Sequence, residues 1–518
     1  MGSASSIQIP AVFGALDKEK RDNLHARFNA LIADGKSQEY ALAEVIAEFS
    51  NPQSIKPKVC IIGGGVAGIS AARILKDGDI EFEILEASNV VGGRIHQEKF
   101  AGFNIDAGAK WIQGLDGNPI WDDFKKFSRT KHKDAVTNTD DVLVFDEDGK
   151  LVDNANYSLD FLTEKSEQRK RDGKPDIAVS AAITMYGPEH KYLSENVFQA
   201  LLYNGIDGEF AEGPRVTSLF QTFPLPTRTE FKDGDWFNNG NFIDIVNGMA
   251  SPLDPSCIKL NHIVESVVDS HGGCVVSVKG EENKFYTHVI CTVSLGVLQR
   301  GLIEFVPPLP DWKMEQLFKF DMCTFTTIFI KFNQKAWSDN EFFLYADLRR
   351  GYYPMWFNVS LDKYYGSDAN MLVCIVSGEE SYRVEKERKE VVAQELLQVA
   401  RKMFKSKSKD DPLLIEDIFV PKWHSNPLFC GSFSNWPIDV SREAFNLITV
   451  PVNRIHFAGE HTSAKFNGYV QGAYLSGIDA AKEVISSINS PSDYIHPLMD
   501  RVKEIQERWL KRQDGRFK

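Results

Sequence analysis

Gly63-Gly64-Gly65-Val66-Ala67-Gly68 lies between an apolar run, Val59-Cys60-Ile61-Ile62, and a stretch with helical spacing through Ala71, Ala72, Ile74 and Leu75. Strand, glycine turn and helix in that order form a dinucleotide fingerprint. Gly63 permits the tight turn, Gly65 lets the backbone approach a pyrophosphate, and Gly68 allows the helix to pack closely on the strand. The helix N-terminus then faces the anion. Glu86 closes the next apolar run, Phe82-Glu83-Ile84-Leu85, 18 residues after Gly68, where a carboxylate can bind a ribose hydroxyl. An acid there disfavours a 2′-phosphate, so the expected ligand is FAD or NAD rather than NADP. Val90-Val91-Gly92-Gly93-Arg94 adds glycine backbone and an arginine fork for a diphosphate. Far downstream, Phe457-Ala458-Gly459-Glu460-His461-Thr462 reads as a strand, a glycine turn and an acid, and Gly468-Tyr469-Val470-Gln471-Gly472-Ala473 opens another helix toward the cofactor. Each segment alone is an ordinary turn. Their combination is that of an FAD site.

Several elements must hold these segments in place. Val275–Val278 and His288–Val293 read as strands joined by the turn Gly280-Glu281-Glu282-Asn283, and Thr324–Phe332 and Met371–Val376 are further strands. Residues 387–404 have helical periodicity, and the charge run 165–174 reads as a solvated helix end or loop. Before residue 57, Leu24, Phe28, Leu31 and Ile32 and then Leu42, Val45, Ile46 and Phe49 recur at helical spacing, with Ser37 as an N-cap and Asn51-Pro52 as the break. That pattern predicts a helical hairpin that serves as a packing arm or dimer contact. Strands and helices are interleaved, which argues for an α/β plan with a mixed sheet added.

With 518 residues the chain has room for two or three domains at roughly 150 residues each. Its 43% apolar and 25% charged content is that of a globular protein. No apolar stretch reaches the ~20 residues of a membrane span. The net charge of −13 repels phosphate backbones, so neither nucleic acid nor a membrane is an expected partner. The seven cysteines form no CxxC pair, which predicts reduced thiols, no metal site and an intracellular, cytoplasmic protein. No secretory signal is seen near the N-terminus.

The segments Gly63–Gly68, Glu86, Gly92-Gly93-Arg94, Gly108-Ala109-Lys110-Trp111 and Gly459-Glu460-His461-Thr462 resemble the flavin-containing monoamine and polyamine oxidases. Val293–Gln299, Phe342–Tyr345 with Arg349–Tyr353, Ser432-Phe433-Ser434-Asn435-Trp436-Pro437, and Asn467–Val470 continuing into Gly472–Gly477 resemble the plant-type polyamine oxidases more narrowly. The resemblance runs from about Lys58 to about Ile485. It implies a Rossmann-like FAD-binding domain assembled from residues 57–130, 235–315 and 415–490, and a mixed-sheet α+β substrate domain from 131–234 and 316–414. Residues 1–56 would be a helical extension and 491–518 a C-terminal helix or tail.

By the same resemblance, Glu86 would bind the adenosine ribose, Arg94 the pyrophosphate, Val264 the adenine through its backbone, Glu460 the ribityl or diphosphate region and Val470 the isoalloxazine edge. Phe433 and Tyr469 would sandwich the amine, Trp423 would flank the ring system, and Glu209 and Phe210 would line the substrate tunnel. The implied reaction is hydride transfer from the carbon beside an amine nitrogen to flavin N5, hydrolysis of the imine, and reoxidation by dioxygen to hydrogen peroxide. The FAD would be non-covalent, since no cysteine lies near Tyr469.

Three positions depart from the family pattern. The family's lysine, which holds a water against flavin N5, is here Thr327, a plant-type tyrosine is Phe325, and a plant-type glutamate facing the amine is Gln113. Thr327 keeps a hydroxyl but brings no positive charge, and Gln113 keeps the shape of glutamate without its anion. These losses frame two expectations: an active oxidase of a polyamine or related amine, acylated or from secondary metabolism, or an inactive flavoprotein that keeps FAD as a structural ligand for a binding or scaffold role.

Overall fold

The computed structural model describes residues 18–36, 40–41, 44–45, 56–128, 135–224, 231, 233–270, 272–405, 410, 412–490, 496–505 and 507. Lys58–Ile62 is apolar and β-branched on both faces, and residues 59–62 are buried. Such a strand belongs inside a parallel sheet. It occupies the centre of a five-stranded one, in the order Ile455–Phe457, His288–Cys291, Lys58–Ile62, Glu81–Leu85, Ile258–Lys259, with every pair parallel. Ile62 pairs with both Cys291 and Leu85. That register delivers Gly63, Glu86 and Thr292 to one edge, where a ligand of an open α/β sheet sits. Helix Val66–Asp77 leaves from this edge, and Val470–Asn489 crosses it closely: a Cβ on Gly477 would lie 2.1 Å from the Ala67 carbonyl oxygen.

A six-stranded sheet forms the second layer, in the order Ile415–Phe419, Phe325–Phe332, Met371–Ser377, Met355–Phe357, Phe342–Tyr345, Val142–Phe145. Its pairs are antiparallel except the last, which is parallel. Helix Lys389–Met403 covers one face through Val392, Leu396 and Val399. Ile415–Phe419 hydrogen-bonds into this mixed sheet, so the segment boundary expected at 415 falls after that strand. Gly280–Asn283 does not lead straight to His288 as expected. It leads to Lys284–Tyr286, which pairs back on Gly273–Val278 in a separate four-stranded sheet.

The charge run 165–174 spans the second half of helix Asp160–Arg171 and the turn after it, and Arg169 is buried there, donating to Tyr186 Oη and the Pro175 carbonyl. At the N-terminus, helix Lys18–Ala33 buries Leu24 and Leu31. Ser37, Leu42, Ile46, Phe49 and Asn51-Pro52 lie outside the described residues, as does much of 491–518. All seven cysteines are free, and six of them are buried. Among the described residues no helix is long and apolar enough to cross a membrane, and no group of His, Cys, Asp or Glu could hold a metal ion.

Candidate active site

One cavity of about 600 Å³ lies against both layers and is lined at once by Gly63, Gly65, Glu86, Arg94 and Val264 and by Gln113, Glu209, Thr327, Phe433 and Tyr469. Phe210, Phe325, Trp423, Glu460 and Val470 line it as well. Gly68 is the one sequence-predicted site residue outside the wall, and it packs instead: a Cβ there would stand 2.0 Å from the Gly63 carbonyl oxygen.

Gly65 behaves differently. Its φ of −76° is open to any residue, and a Cβ would meet nothing nearer than 3.9 Å. The protein's own packing does not require a glycine there, whereas a ligand against the backbone would. No side chain caps helix Val66–Asp77 or helix Val470–Asn489, so their first N–H groups remain open to an acceptor. Glu86 is fixed to the fingerprint turn: Oε2 accepts from Gly64 N at 2.6 Å and Oε1 from Ser88 N at 2.8 Å. Arg94 Nη1 donates to Glu460 Oε1 at 2.7 Å and to the Ser432 carbonyl at 3.0 Å. Among the described residues Gln471 Nε2, in the cavity wall, is buried and unpartnered. A cradle a Cβ would fill, two uncapped helix starts and an open donor suit the phosphates and ring edge of a dinucleotide. Burial pushes the Glu460 carboxyl up, but Arg94, His461 and a hydroxyl bond from Ser434 outweigh it and hold the group below its usual range.

The other part of the wall is made of side chains. Gln113 ends strand Trp111–Gln113. Glu209 follows a π-helical turn, Tyr203–Asp207, which is pinned when Tyr203 Oη accepts from Ser377 N at 2.7 Å. Ala211, in the left-handed region at φ +61°, ends that segment. Tyr469 Oη donates to Glu209 Oε1 at 2.6 Å, and Gln113 Nε2 donates to the same oxygen at 3.3 Å. The anion missing at 113 is therefore present at 209, within hydrogen-bond reach. Phe325 and Phe433 approach at 5.8 Å between ring centroids, and Trp423 packs edge-on against Phe429 at 5.0 Å.

Thr327, in strand Phe325–Phe332, is held by an amine from another part of the chain. Lys110 Nζ donates to its Oγ1 at 2.8 Å and to the Gly108 carbonyl at 2.7 Å. Lys110 is buried, lines the same cavity, and has its own carbonyl held by Asn238 N and Nδ2, each at 2.9 Å. Burial pushes its amine down against the pull of Asp106. Sequence reasoning quoted Lys110 inside a motif and gave it no role. The signal was there: a lysine within the apolar run Gly108-Ala109-Lys110-Trp111-Ile112 is paired with something.

The family model for flavin-containing amine oxidoreductases matches residues 66–485. The chain belongs to that family. Polyamine oxidase 1 of Zea mays is 38% identical over 471 residues, covering 84% of this chain and 91% of its own. Polyamine oxidase 6 of Oryza sativa subsp. japonica is 39% identical over 475 residues, covering 83% and 91%. Among solved structures, an engineered double mutant of putrescine oxidase superposes with a TM-score of 0.65 at 17% identity, over 83% of this chain and 99% of that one. The cofactor of this flavoenzyme is FAD, and its chemistry is amine oxidation.

Proposed function

We propose that the enzyme oxidises polyamines or their close derivatives, with dioxygen as the final acceptor, in the single cavity that joins the dinucleotide wall to the Glu209 wall. That continuity is the observation that carries the reading. The parallel-sheet segments hold FAD. Gly63 and Gly65 let the backbone approach the diphosphate, Glu86 takes the ribose, Val264 meets the adenine, and Arg94 and Glu460 face the diphosphate and ribityl region. Val470, at an uncapped helix start, meets the ring edge. Once bound, FAD supplies the electron sink for hydride from the carbon beside nitrogen.

The chain's own residues do the rest. Phe433 and Tyr469 flank the reacting carbon, while Phe325, Trp423 and Phe210 exclude water along the alkyl chain. Glu209 holds a second, charged nitrogen by an ionic hydrogen bond, and Gln113 orients that carboxylate. Aromatic walls beside an anion favour a chain with two cationic ends. The amine of Lys110 on Thr327 and the carboxylate of Glu209 on Gln113 favour the active enzyme over the scaffold role. Free cysteines support an intracellular, reducing location.

A peroxide-coupled assay of spermine, spermidine, monoacetylated spermine and a simple monoamine tests this. Spermine or spermidine should exceed the monoamine in kcat/KM by at least about tenfold, the size of one ionic hydrogen bond of about 1.5 kcal/mol. Preference for the monoamine would refute the substrate class.

A further inference from the structure

Lys110, just before strand Trp111–Gln113, and Thr327, in strand Phe325–Phe332, are 217 positions apart and meet at the cavity wall. Lys110 Nζ has two acceptors, the Gly108 carbonyl and Thr327 Oγ1. Two acceptors match the two N–H groups of a neutral amine and leave its lone pair over. Thr327 Oγ1 accepts from the lysine, and its single hydroxyl proton can turn either to the cavity or to the lone pair of a neutral amine. Lysine is the better base and threonine the better conduit.

We infer that Lys110, acting through the Thr327 hydroxyl, is a proton store serving both halves of the oxidation. This rests on the amine-oxidase reading. An alkylamine substrate arrives as an ammonium and must shed a proton before its carbon can give up hydride. Its N–H bond breaks once the Thr327 hydroxyl has turned to donate to the Lys110 lone pair: Oγ1 gains the substrate proton and passes its own to Nζ, leaving Lys110 an ammonium that donates back to Oγ1, the direction the structure shows. The neutral amine then yields two electrons and one hydrogen as hydride to FAD and becomes an iminium. In the oxygen half, dioxygen takes the hydride equivalent from the reduced cofactor and one proton from Lys110 through Thr327, giving hydrogen peroxide and restoring the neutral lysine. The proton removed from the substrate is the proton dioxygen needs, so charge balances over the cycle. The low position of the Lys110 amine, set by burial against the pull of Asp106, fits a group that gains and loses a proton near neutral pH. Asp106 is the carboxyl that faces it, from strand Phe103–Asp106, and burial pushes that carboxyl up.

The test reduces the flavin photochemically and follows reoxidation by air, so no substrate needs to be known. Lys110→Met should slow reoxidation about tenfold or more and remove its pH dependence. Thr327→Val keeps the lysine and cuts the path, and should slow it similarly. Thr327→Lys alone sets two amines side by side and should bring no gain, whereas Lys110→Met with Thr327→Lys should recover most of the rate. A second measurement uses protein without FAD. The folded Lys110 sheds its proton below the usual lysine range, so the unfolded chain holds more protons and stability should rise with pH above neutral; Lys110→Met should lose that slope. Asp106 titrates in the opposite sense in both proteins. Wild-type reoxidation in Lys110→Met or Thr327→Val, or an unchanged slope without FAD, would overturn the inference. A protein that never takes up FAD would instead sink the flavoenzyme reading, which the measurement on FAD-free protein does not depend on.

Discussion

The two ends of the cavity are built by different means. The dinucleotide end is made largely of backbone turns and helix starts, and four of its residues, Gly63, Gly65, Glu86 and Arg94, fall within 32 positions, with Val264, Glu460 and Val470 joining from later segments. The amine end is made of side chains from Lys110, Gln113, Glu209, Thr327, Phe433 and Tyr469, carried by separate elements. At the first end each role is tied to a place in the chain, because a turn or a helix start cannot be replaced by a neighbour. At the second a charge can move to another strand that reaches the same point. Lys110 beside Thr327 is a case of that freedom.

Two glycines at the dinucleotide end set the largest contrast. Gly68→Ala pushes a Cβ onto the Gly63 carbonyl and should cost about 3 kcal/mol of stability, read as a lower denaturation midpoint with or without FAD. Gly65→Ala brings a Cβ no nearer than 3.9 Å to any atom of the chain, so the FAD-free protein should melt within about 1 kcal/mol of wild type while flavin affinity falls by about a hundredfold or more. Equal loss of stability in both would erase the distinction between packing and ligand glycines.

Arg94→Met comes next. It leaves the Glu460 carboxylate buried without its cation and should cost about 3 kcal/mol near neutral pH. In the wild type the lowered carboxyl contributes stability above the ordinary glutamate range, and that stability is lost as pH falls through the folded value. In the variant the carboxyl prefers its proton, so the gap in melting temperature should close as the pH approaches about 4. A gap that does not change with pH would contradict the pairing.

At the amine end, Glu209→Gln should lower kcat/KM for spermine by about tenfold to a hundredfold and leave a monoamine within about threefold. Equal losses for both would show that Glu209 does not read the second charge. The smallest effect belongs to Gln113→Glu. Glu209 already supplies the anion 3.3 Å away, and a second carboxylate there would hold a proton, so the spermine preference should change by less than about threefold. A large gain would mean that Gln113 sets the charge preference.

The parallel sheet and the dinucleotide turn were legible because strand, glycine spacing and acid are local features with one geometric solution. The aromatic walls were legible only through the family resemblance, since Phe433 and Tyr469 carry no pattern of their own. Lys110 was not legible as a partner of Thr327. Their contact depends on the lead into strand Trp111–Gln113 meeting strand Phe325–Phe332, and no residue spacing records it. Lys284–Tyr286 was missed for a related reason: three residues that pair as a hairpin look like the tail of a turn until Cys274 is seen opposite Tyr286.

The central claim is that one cavity binds FAD at one end and a polyamine at the other in reacting order. Adding spermine to the FAD-loaded enzyme without oxygen tests it most directly. The account predicts that the yellow flavin band bleaches in a single turnover and returns in air with one peroxide formed per flavin. A loaded enzyme whose flavin stays oxidised with spermine, spermidine and monoacetylated spermine alike would contradict it.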